Sequence, residues 1–437
     1  MQTIIKRNIE LFKVFIEFLA KIFTRVNFYE KHLKYFPFLC YNYLLENILR
    51  GVIMNITDSI KYVGVNDHEV DLFEGQYVVP NGMAYNSYVV IDDKITVFDT
   101  VDARFGKTWI DNVKAVLSGK EPDYLVIQHM EPDHSSNINL FMSEFKNAVI
   151  VSSSRAFTMM KNFYKNDFED RRIIVKEKDV LNTGKHEFTF IGAPMVHWPE
   201  VIVTYDSFDK VLFSADGFGK FGALDMDEDW ACEARRYYFG IVGKYGVQVQ
   251  ALLKKLDGVE VKGILPLHGP VLLDNLSYYL ELYNTWSSYG VESDGVAIFY
   301  TSVYGNTKKA VLCLQDKLNK LGASKVSVTD LARDDMAEAV EDAFRYGKII
   351  LATTTYNGEL FPFMREFINE LTERGYKNRT IGIIENGSWA PMVIKTIKEA
   401  FANSKNITFV ENNVSILSAM NEEDEFKIEN LAKEILG

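Results

Sequence analysis

The stretch QHMEPDH, residues 128–134, places two histidines and two carboxylates within six positions: His129, Glu131, Asp133 and His134. The 437-residue chain holds seven histidines in all, so this density asks for a chemical reason. Imidazole nitrogens and carboxylate oxygens are the usual ligands of divalent metals. The apolar run YLVI ends just before His129, which puts the cluster on a loop at a strand end. Three later strand-like runs end in the same way: His197 follows FIGAPMV, Asp216 follows VLFSA, and His268 follows GILPL. Four strand ends thus carry ligand-type residues, which are expected to converge on one side of a sheet sandwich.

A second chemistry is written into TSVYGNT, residues 301–307, which joins a strand-like run to a helical one. Hydroxyls, a glycine and an amide at such a turn can wrap a phosphate with backbone N–H groups and a helix N-terminus. No P-loop lysine follows and no Gly-x-Gly-x-x-Gly occurs, so a single phosphomonoester fits better than a triphosphate or a dinucleotide. Ser302, Val303, Tyr304, Gly305, Asn306 and Thr307 are the candidate phosphate loop. Two further loops, TTTYNGELFP and ENGSWAP, follow the third and fourth strands of the same region. They contribute Thr354, Thr355, Tyr356, Asn357 and Gly358, then Asn386, Gly387, Ser388 and Trp389. Tyr356 and Trp389 are the candidates to stack on a flat ring.

The elements that must position these residues fall into two rhythms. From about residue 60 to 290 the pattern is mixed, with short strands such as NAVIVSS and a hairpin signal in SYVVIDDKITVFDT. Helical stretches near 105–118 and 242–256 are interspersed. Strands and helices without strict alternation predict a sheet sandwich covered by helices. From about residue 294 the rhythm is regular, with GVAIFY, KVSVTDL, KIILATTT, TIGIIENGS and ITFVE each preceding a helix. Five strands alternating with five helices predict a parallel, doubly wound sheet. The boundary is placed in the polar, glycine-bearing stretch NTWSSYGVESDG, residues 284–295.

The totals narrow the partners. A net charge of −12 argues against nucleic acid, because phosphate contacts need basic surface. The three cysteines, Cys40, Cys232 and Cys313, form no Cys-x-x-Cys pair, which leaves no thiolate-ligated iron or zinc module and suits a reducing, cytoplasmic setting. No uncharged run reaches the roughly 18 residues of a membrane span. Residues 1–53 stand apart: they hold eight Lys/Arg against four Asp/Glu, or +4, leaving −16 for the remainder. IELFKVFIEFLAKIF within them has the spacing of an amphipathic helix. MNITDSIKYVG at Met54 reads as a natural start, and the Ile-, Phe-, Tyr-, Asn- and Lys-rich stretch before it reads as translated AT-rich non-coding DNA. A helix for a membrane surface or a partner, and a packed extension, are the alternatives.

The histidine cluster is similar to the first motif of the metallo-β-lactamase superfamily, His-x-His-x-Asp-His, with Glu131 in place of the middle histidine. Four histidines and three carboxylates make an oxygen-rich set that favours iron over zinc. The loop Ser302–Thr307 resembles the flavodoxin phosphate loop, and flavodoxin-like sheets hold FMN between their first and third strands. The two together look like the flavodiiron protein family, without a fused rubredoxin domain. The resemblance spans roughly residues 57–437. It implies an N-terminal extension over 1–53, a metallo-β-lactamase-like αββα diiron domain over 54–290 and a flavodoxin-like FMN domain over 294–437. By matching to the motif, His129, Glu131 and His197 would ligate one iron, Asp133, His134 and His268 the other, and Asp216 would bridge them.

The implied activity is reduction of O2 to water, with reduction of NO to N2O second. Two ferrous ions deliver two electrons, O2 needs four and a pair of NO needs two, so a flavin belongs on the same protein. The resemblance also implies a head-to-tail homodimer, or a dimer of dimers, that sets the FMN of one chain against the irons of the other. An external donor is expected, either a rubredoxin or a reduced deazaflavin. A metallo-hydrolase with a regulatory flavodoxin domain is the alternative. His68 and His186 are read as surface residues. Tyr85, Tyr88 and Trp198 are read as core packing, with lining of the pocket as the competing role.

Overall fold

A computed structural model of the chain describes residues 54–437. The 1–53 extension, its expected amphipathic helix and Cys40 lie outside the described residues. The N-terminal half is a sandwich of a seven-stranded and a five-stranded sheet. Along the larger sheet run Met54–Asn55, Ile60–Tyr62, Tyr88–Val90, Thr96–Phe98, Tyr124–Val126, Val149–Ser153 and Arg172–Val175, in that spatial order. The smaller sheet orders Val180–Asn182, Glu187–Gly192, Ile202–Asp206, Val211–Phe213 and Gly263–Leu265.

Alternation along the strands explains why both faces are apolar. Val97 and Leu125 point into the layer beneath the covering helices, while their neighbours Phe98 and Val126 point between the sheets. Between the sheets Phe98 stacks on Phe213 with centroids 3.9 Å apart, and Phe188 meets Phe98 edge-on at 5.1 Å. Burying each such side chain is worth about 1.5–3 kcal/mol. Tyr88 belongs to this inter-sheet core, with its hydroxyl donating to the Pro266 carbonyl at 2.6 Å.

The C-terminal half is a parallel sheet in the order Val326–Asp330, Ser293–Tyr300, Tyr346–Tyr356, Arg379–Asn386, with the fifth strand last. That fifth strand is broken into Ile407–Phe409 and Val414–Ile416, both paired with Arg379–Asn386. Asn357 and Gly358, at φ 52° and 76°, form the turn of a small hairpin in which Tyr356 pairs with Glu359. Positive φ at both central residues is the type I′ geometry that Asn-Gly favours.

The boundary differs from the polar linker expected over 284–295. Helix Leu276–Ser287 runs almost into strand Ser293–Tyr300, and Trp286 is buried. The Trp286 indole donates to Glu292 at 2.6 Å, Arg235 donates twice to Glu292 at 2.6 Å, and Arg235 also reaches Glu341 of the second domain at 2.7 Å. Arg235 and Glu341 are buried and Glu292 partly so, an ion cluster that composition alone cannot tell from a solvated loop. Arg374 donating to the Phe239 carbonyl at 2.7 Å and Phe344 stacked on Phe239 at 4.2 Å complete the junction.

Candidate metal centre and phosphate loop

Strand Tyr124–Val126 delivers the 128–134 loop, and Pro132 then opens the short helix Pro132–Ser135. Proline suits the first turn because its missing N–H would have no partner there. His134 N–H and Ser135 N–H both donate to the Glu131 carbonyl at 3.0 Å, which curls Asp133 and His134 back toward His129. His197, Asp216 and His268 arrive from the loops after Glu187–Gly192, Val211–Phe213 and Gly263–Leu265. All seven residues are buried.

The donors fall into two groups that share one carboxylate. Glu131 Oε2 lies 3.2 Å from His129 Nε2 and 3.0 Å from His197 Nε2. Asp133 Oδ2 lies 3.4 Å from His134 Nε2 and 3.3 Å from His268 Nε2, and those two nitrogens are 3.0 Å apart. Asp216 turns Oδ2 to the first group, 3.3 Å from His129 and 3.2 Å from His197. It turns Oδ1 to the second group, 3.3 Å from His134 and 3.8 Å from His268.

These separations fit metal ions. Two donors bound at about 2.1 Å and spread by roughly a right angle to a tetrahedral angle sit about 3.0–3.4 Å apart. Both oxygens of Asp133 and both of Asp216 are buried without a hydrogen-bond partner among the described residues, a costly state for protein alone. Burial by itself would raise the Asp216 pKa, but His129, His134 and His197 hold it well below the carboxylate range. Burial likewise works against a charged His129, yet Asp216, Glu131 and Glu200 hold its pKa well above the ordinary value. The carboxylates demand positive charge, and divalent ions supply it without protons on the imidazoles.

Four neighbours escaped the sequence reading. Glu200 accepts from His129 Nδ1 at 2.8 Å and from Met130 N–H at 2.9 Å. Asp99, at φ 52°, accepts from Gln128 N–H at 2.7 Å and fixes the start of the loop. Tyr237 is buried within 5.5 Å of the His268 ring, and its hydroxyl has no partner among the described residues. Glu74, on the turn between Leu72–Phe73 and Tyr77–Val78, has its pKa pushed to about 7, first by burial of its carboxyl and then by Glu131. The chain offers a local signal for two of them: Glu200 follows His197 by three residues, and Asp99 closes the strand Thr96–Phe98.

Of the aromatics, Tyr85 packs edge-on against His268 at 5.9 Å and Trp198 against His129 at 5.2 Å, so both border the centre while Tyr88 does not. His68 is exposed beside Asp225. His186 is not a surface residue: it is buried, with Nδ1 2.8 Å from Asp206. Its polar sequence context reflects partners in the fold, Asp206 and the Asp92 carboxylate that receives its backbone N–H at 2.9 Å.

In the second domain Ser302 Oγ accepts from the backbone of Gly305 at 3.1 Å and of Lys308 at 3.2 Å, which folds 302–308 into a tight loop. Gly305 is needed for its φ of 90° rather than for space, since a Cβ there would meet nothing within 4 Å. Helix Asn306–Lys320 starts at the loop and points its first N–H groups at it. Thr354 Oγ1 donates to the Asn386 carbonyl at 3.0 Å and Gly387 N–H to Ile416 at 3.1 Å, tying the other two loops together. Tyr304, Trp389 and Tyr356 are 93%, 81% and 46% exposed. Large rings left in water around an anion-binding loop suit a flat aromatic phosphate ester.

Comparison with known proteins agrees domain by domain. Residues 83–269 match the ODP family beta lactamase model, and residues 297–406 match a flavodoxin domain. An anaerobic nitric oxide reductase flavorubredoxin from Salmonella arizonae is 27% identical over 348 residues, covering 77% of this chain and 72% of the relative. The rubredoxin oxygen:oxidoreductase of the anaerobe Desulfovibrio gigas superposes with a TM-score of 0.81 at 25% identity, over 88% of this chain and 97% of that one. The flavodiiron protein of Giardia intestinalis shares the fold, with a TM-score of 0.81 at 24% identity over the same shares of the two chains. With a β-lactamase-like domain and a flavodoxin domain joined in this order on one chain, the protein is similar to flavodiiron proteins over both domains.

Proposed function

We infer that this chain is an oxidoreductase that reduces O2 to water and NO to N2O at a diiron centre supplied by FMN. One observation carries the reading. Asp216 directs one oxygen to the His129–His197 pair and the other to the His134–His268 pair, the disposition of a carboxylate shared by two ions. His129, Glu131 and His197 would hold one iron, and Asp133, His134 and His268 the other. Bound iron would supply Lewis acidity and electrons to a diatomic ligand, and bound FMN the electrons that replenish it.

The chain's own groups do the rest. The rings of Phe73, Tyr85 and Tyr237 surround His268 at 5.3, 5.9 and 5.5 Å and keep bulk water from the ligands. Burial, and then the charges of Asp216, Glu131 and Asp133, hold the Tyr237 pKa well above its usual value. Its hydroxyl therefore keeps its proton and has a hydrogen bond to offer beside His268. The Ser302–Thr307 loop would bind the FMN phosphate, with Tyr356 and Trp389 against the ring.

A head-to-tail pairing of two chains, which the resemblance implies, would set the FMN of one chain against the irons of the other. Arg379 begins its strand at the junction, donating to the Tyr289 and Gly290 carbonyls at 2.9 Å, and Asn386 ends it at a flavin loop. Eight residues of strand set the flavin loop about 25 Å from that junction. A second chain presenting its metal centre there shortens the electron path. Rubredoxin or a reduced deazaflavin is the donor class. A hydrolase is disfavoured by Glu131 at the motif's middle position and by the flavin domain.

The test is anaerobic turnover of protein of known iron and FMN content, given O2 or NO and reduced rubredoxin. About two irons and one FMN per chain, with consumption of either gas, are expected. Protein active as a hydrolase with zinc alone would overturn the reading.

A further inference from the structure

The four imidazoles are not backed alike. His129 gives its Nδ1 to a carboxylate, Glu200 Oε1, at 2.8 Å. His268 gives its Nδ1 to a neutral acceptor, the Ala84 carbonyl, at 2.8 Å. His134 Nδ1 is buried with no partner among the described residues. The Glu200 side chain is fully buried, and its Oε2 is also without a partner. A charge kept dry, with one oxygen spent on an imidazole and on Met130 N–H, is expensive unless it answers positive charge nearby.

We propose that Glu200 is a positioning residue that makes the two metal positions inequivalent. This rests on the diiron reading above. By accepting the Nδ1 proton, Glu200 fixes the His129 tautomer, aims Nε2 at the metal and raises the basicity of that ring. Its negative charge acts on the His129–Glu131–His197 side. On the opposite side His268 Nδ1 meets a carbonyl and His134 Nδ1 has no acceptor among the described residues, so the buried Asp99 carboxylate acts on His134 through space and not through its ring proton. The ion on the Glu200 side is therefore held more tightly, and its higher oxidation state is favoured over that of its neighbour. Met130 N–H offers a bland role, in which Glu200 merely braces the loop, but bracing acts on both positions through the shared 129–134 segment.

The experiment compares parent holoprotein and Glu200→Gln, both loaded with 57Fe and FMN and reduced without oxygen. The amide keeps the size and an acceptor oxygen while losing the charge. Mössbauer spectra of the variant should show one ferrous doublet displaced and the other unmoved. Competition with a chelator should show one iron per chain bound about 10–100-fold more weakly, the range for changes behind a metal ligand, with FMN content unchanged. Two unmoved doublets, or two displaced equally, would overturn the proposal. Parent protein without two irons would instead overturn the diiron reading. If Glu200→Gln does not accumulate folded, Glu200→Asp, which keeps the charge but shortens its reach to Nδ1, takes its place in the same two measurements: one displaced doublet is expected, and two unmoved or equally displaced doublets overturn the proposal.

Discussion

The metal centre and the phosphate loop solve opposite problems. Seven buried histidines and carboxylates, the candidate ligands, form two groups with atoms within 4.8 Å of one another in each, and are held by residues that are themselves buried. The candidate flavin loops are partly open to solvent, with Tyr304 and Trp389 largely exposed and Thr307, Asn386 and Gly387 buried. Burying charge is costly unless every charge is answered, so the metal side is preorganised and intolerant of single changes. An exposed loop bears little such cost, so the flavin side should lose ligand affinity without losing its fold.

The strongest way to break that contrast is Asp216→Asn. It keeps the size but removes the charge that faces both metal positions, and an amide NH2 has no lone pair for a metal. O2 and NO consumption should drop by more than about 100-fold, beyond the range for residues one step behind the ligands. FMN content and its reduction by the donor should persist. A variant with full iron, coupled spins and near-parent consumption would show that Asp216 does not bridge.

Arg235→Met asks whether buried charge away from the metals is as intolerant. Glu292 and Glu341 lose the guanidinium between them, and breaking a buried pair costs about 3–5 kcal/mol. Chemical denaturation should report a loss of that order, and replacing Glu341 by leucine as well should recover part of it. A loss under about 1 kcal/mol, the level of an exposed pair, would mean that the junction is wetter than its geometry.

On the open side, Asn306→Ala and Thr307→Ala should each weaken FMN binding by about 10–100-fold, from about 1.5–3 kcal/mol per hydrogen bond to a charged group. Iron content should not change in either, and the melting temperature should hold in Asn306→Ala, the less buried of the two positions. Unaltered FMN retention on dilution would reassign the phosphate site.

The smallest effect concerns His186. Burial lowers its pKa, but the hydrogen bond and charge of Asp206, then Asp209 and Asp92, raise it overall above 6.5. A histidine raised in the folded state contributes stability that is complete below the unfolded pKa of about 6.5 and fades as pH climbs through the folded value. The melting temperature should therefore decline from pH 6 upward, and less steeply in His186→Gln. Equal slopes would remove the pair from the pH dependence.

Much of this protein was legible along the chain because its signals are local. Glu131, Asp133 and His134 follow His129 within five residues, strand rhythm separates residues 60–290 from 294–437, and Ser302–Thr307 is a contiguous loop. Chemistry carried by neighbouring residues survives in sequence because the backbone holds those residues together whatever the packing. Tertiary structure decided what depends on distant elements meeting. His129 and His268 share one centre only because strands Tyr124–Val126 and Gly263–Leu265, in different sheets, end on the same side of the sandwich. Glu200 found His129 across 71 residues, and His186 found Asp206 although its flanking residues looked like ordinary polar loop. Within the polar stretch 284–295, Trp286 and Glu292 became part of the junction because Arg235 pairs with Glu292 on one side and with Glu341 of the second domain on the other. Composition records how polar a residue is, and only packing determines whether water or another side chain answers it.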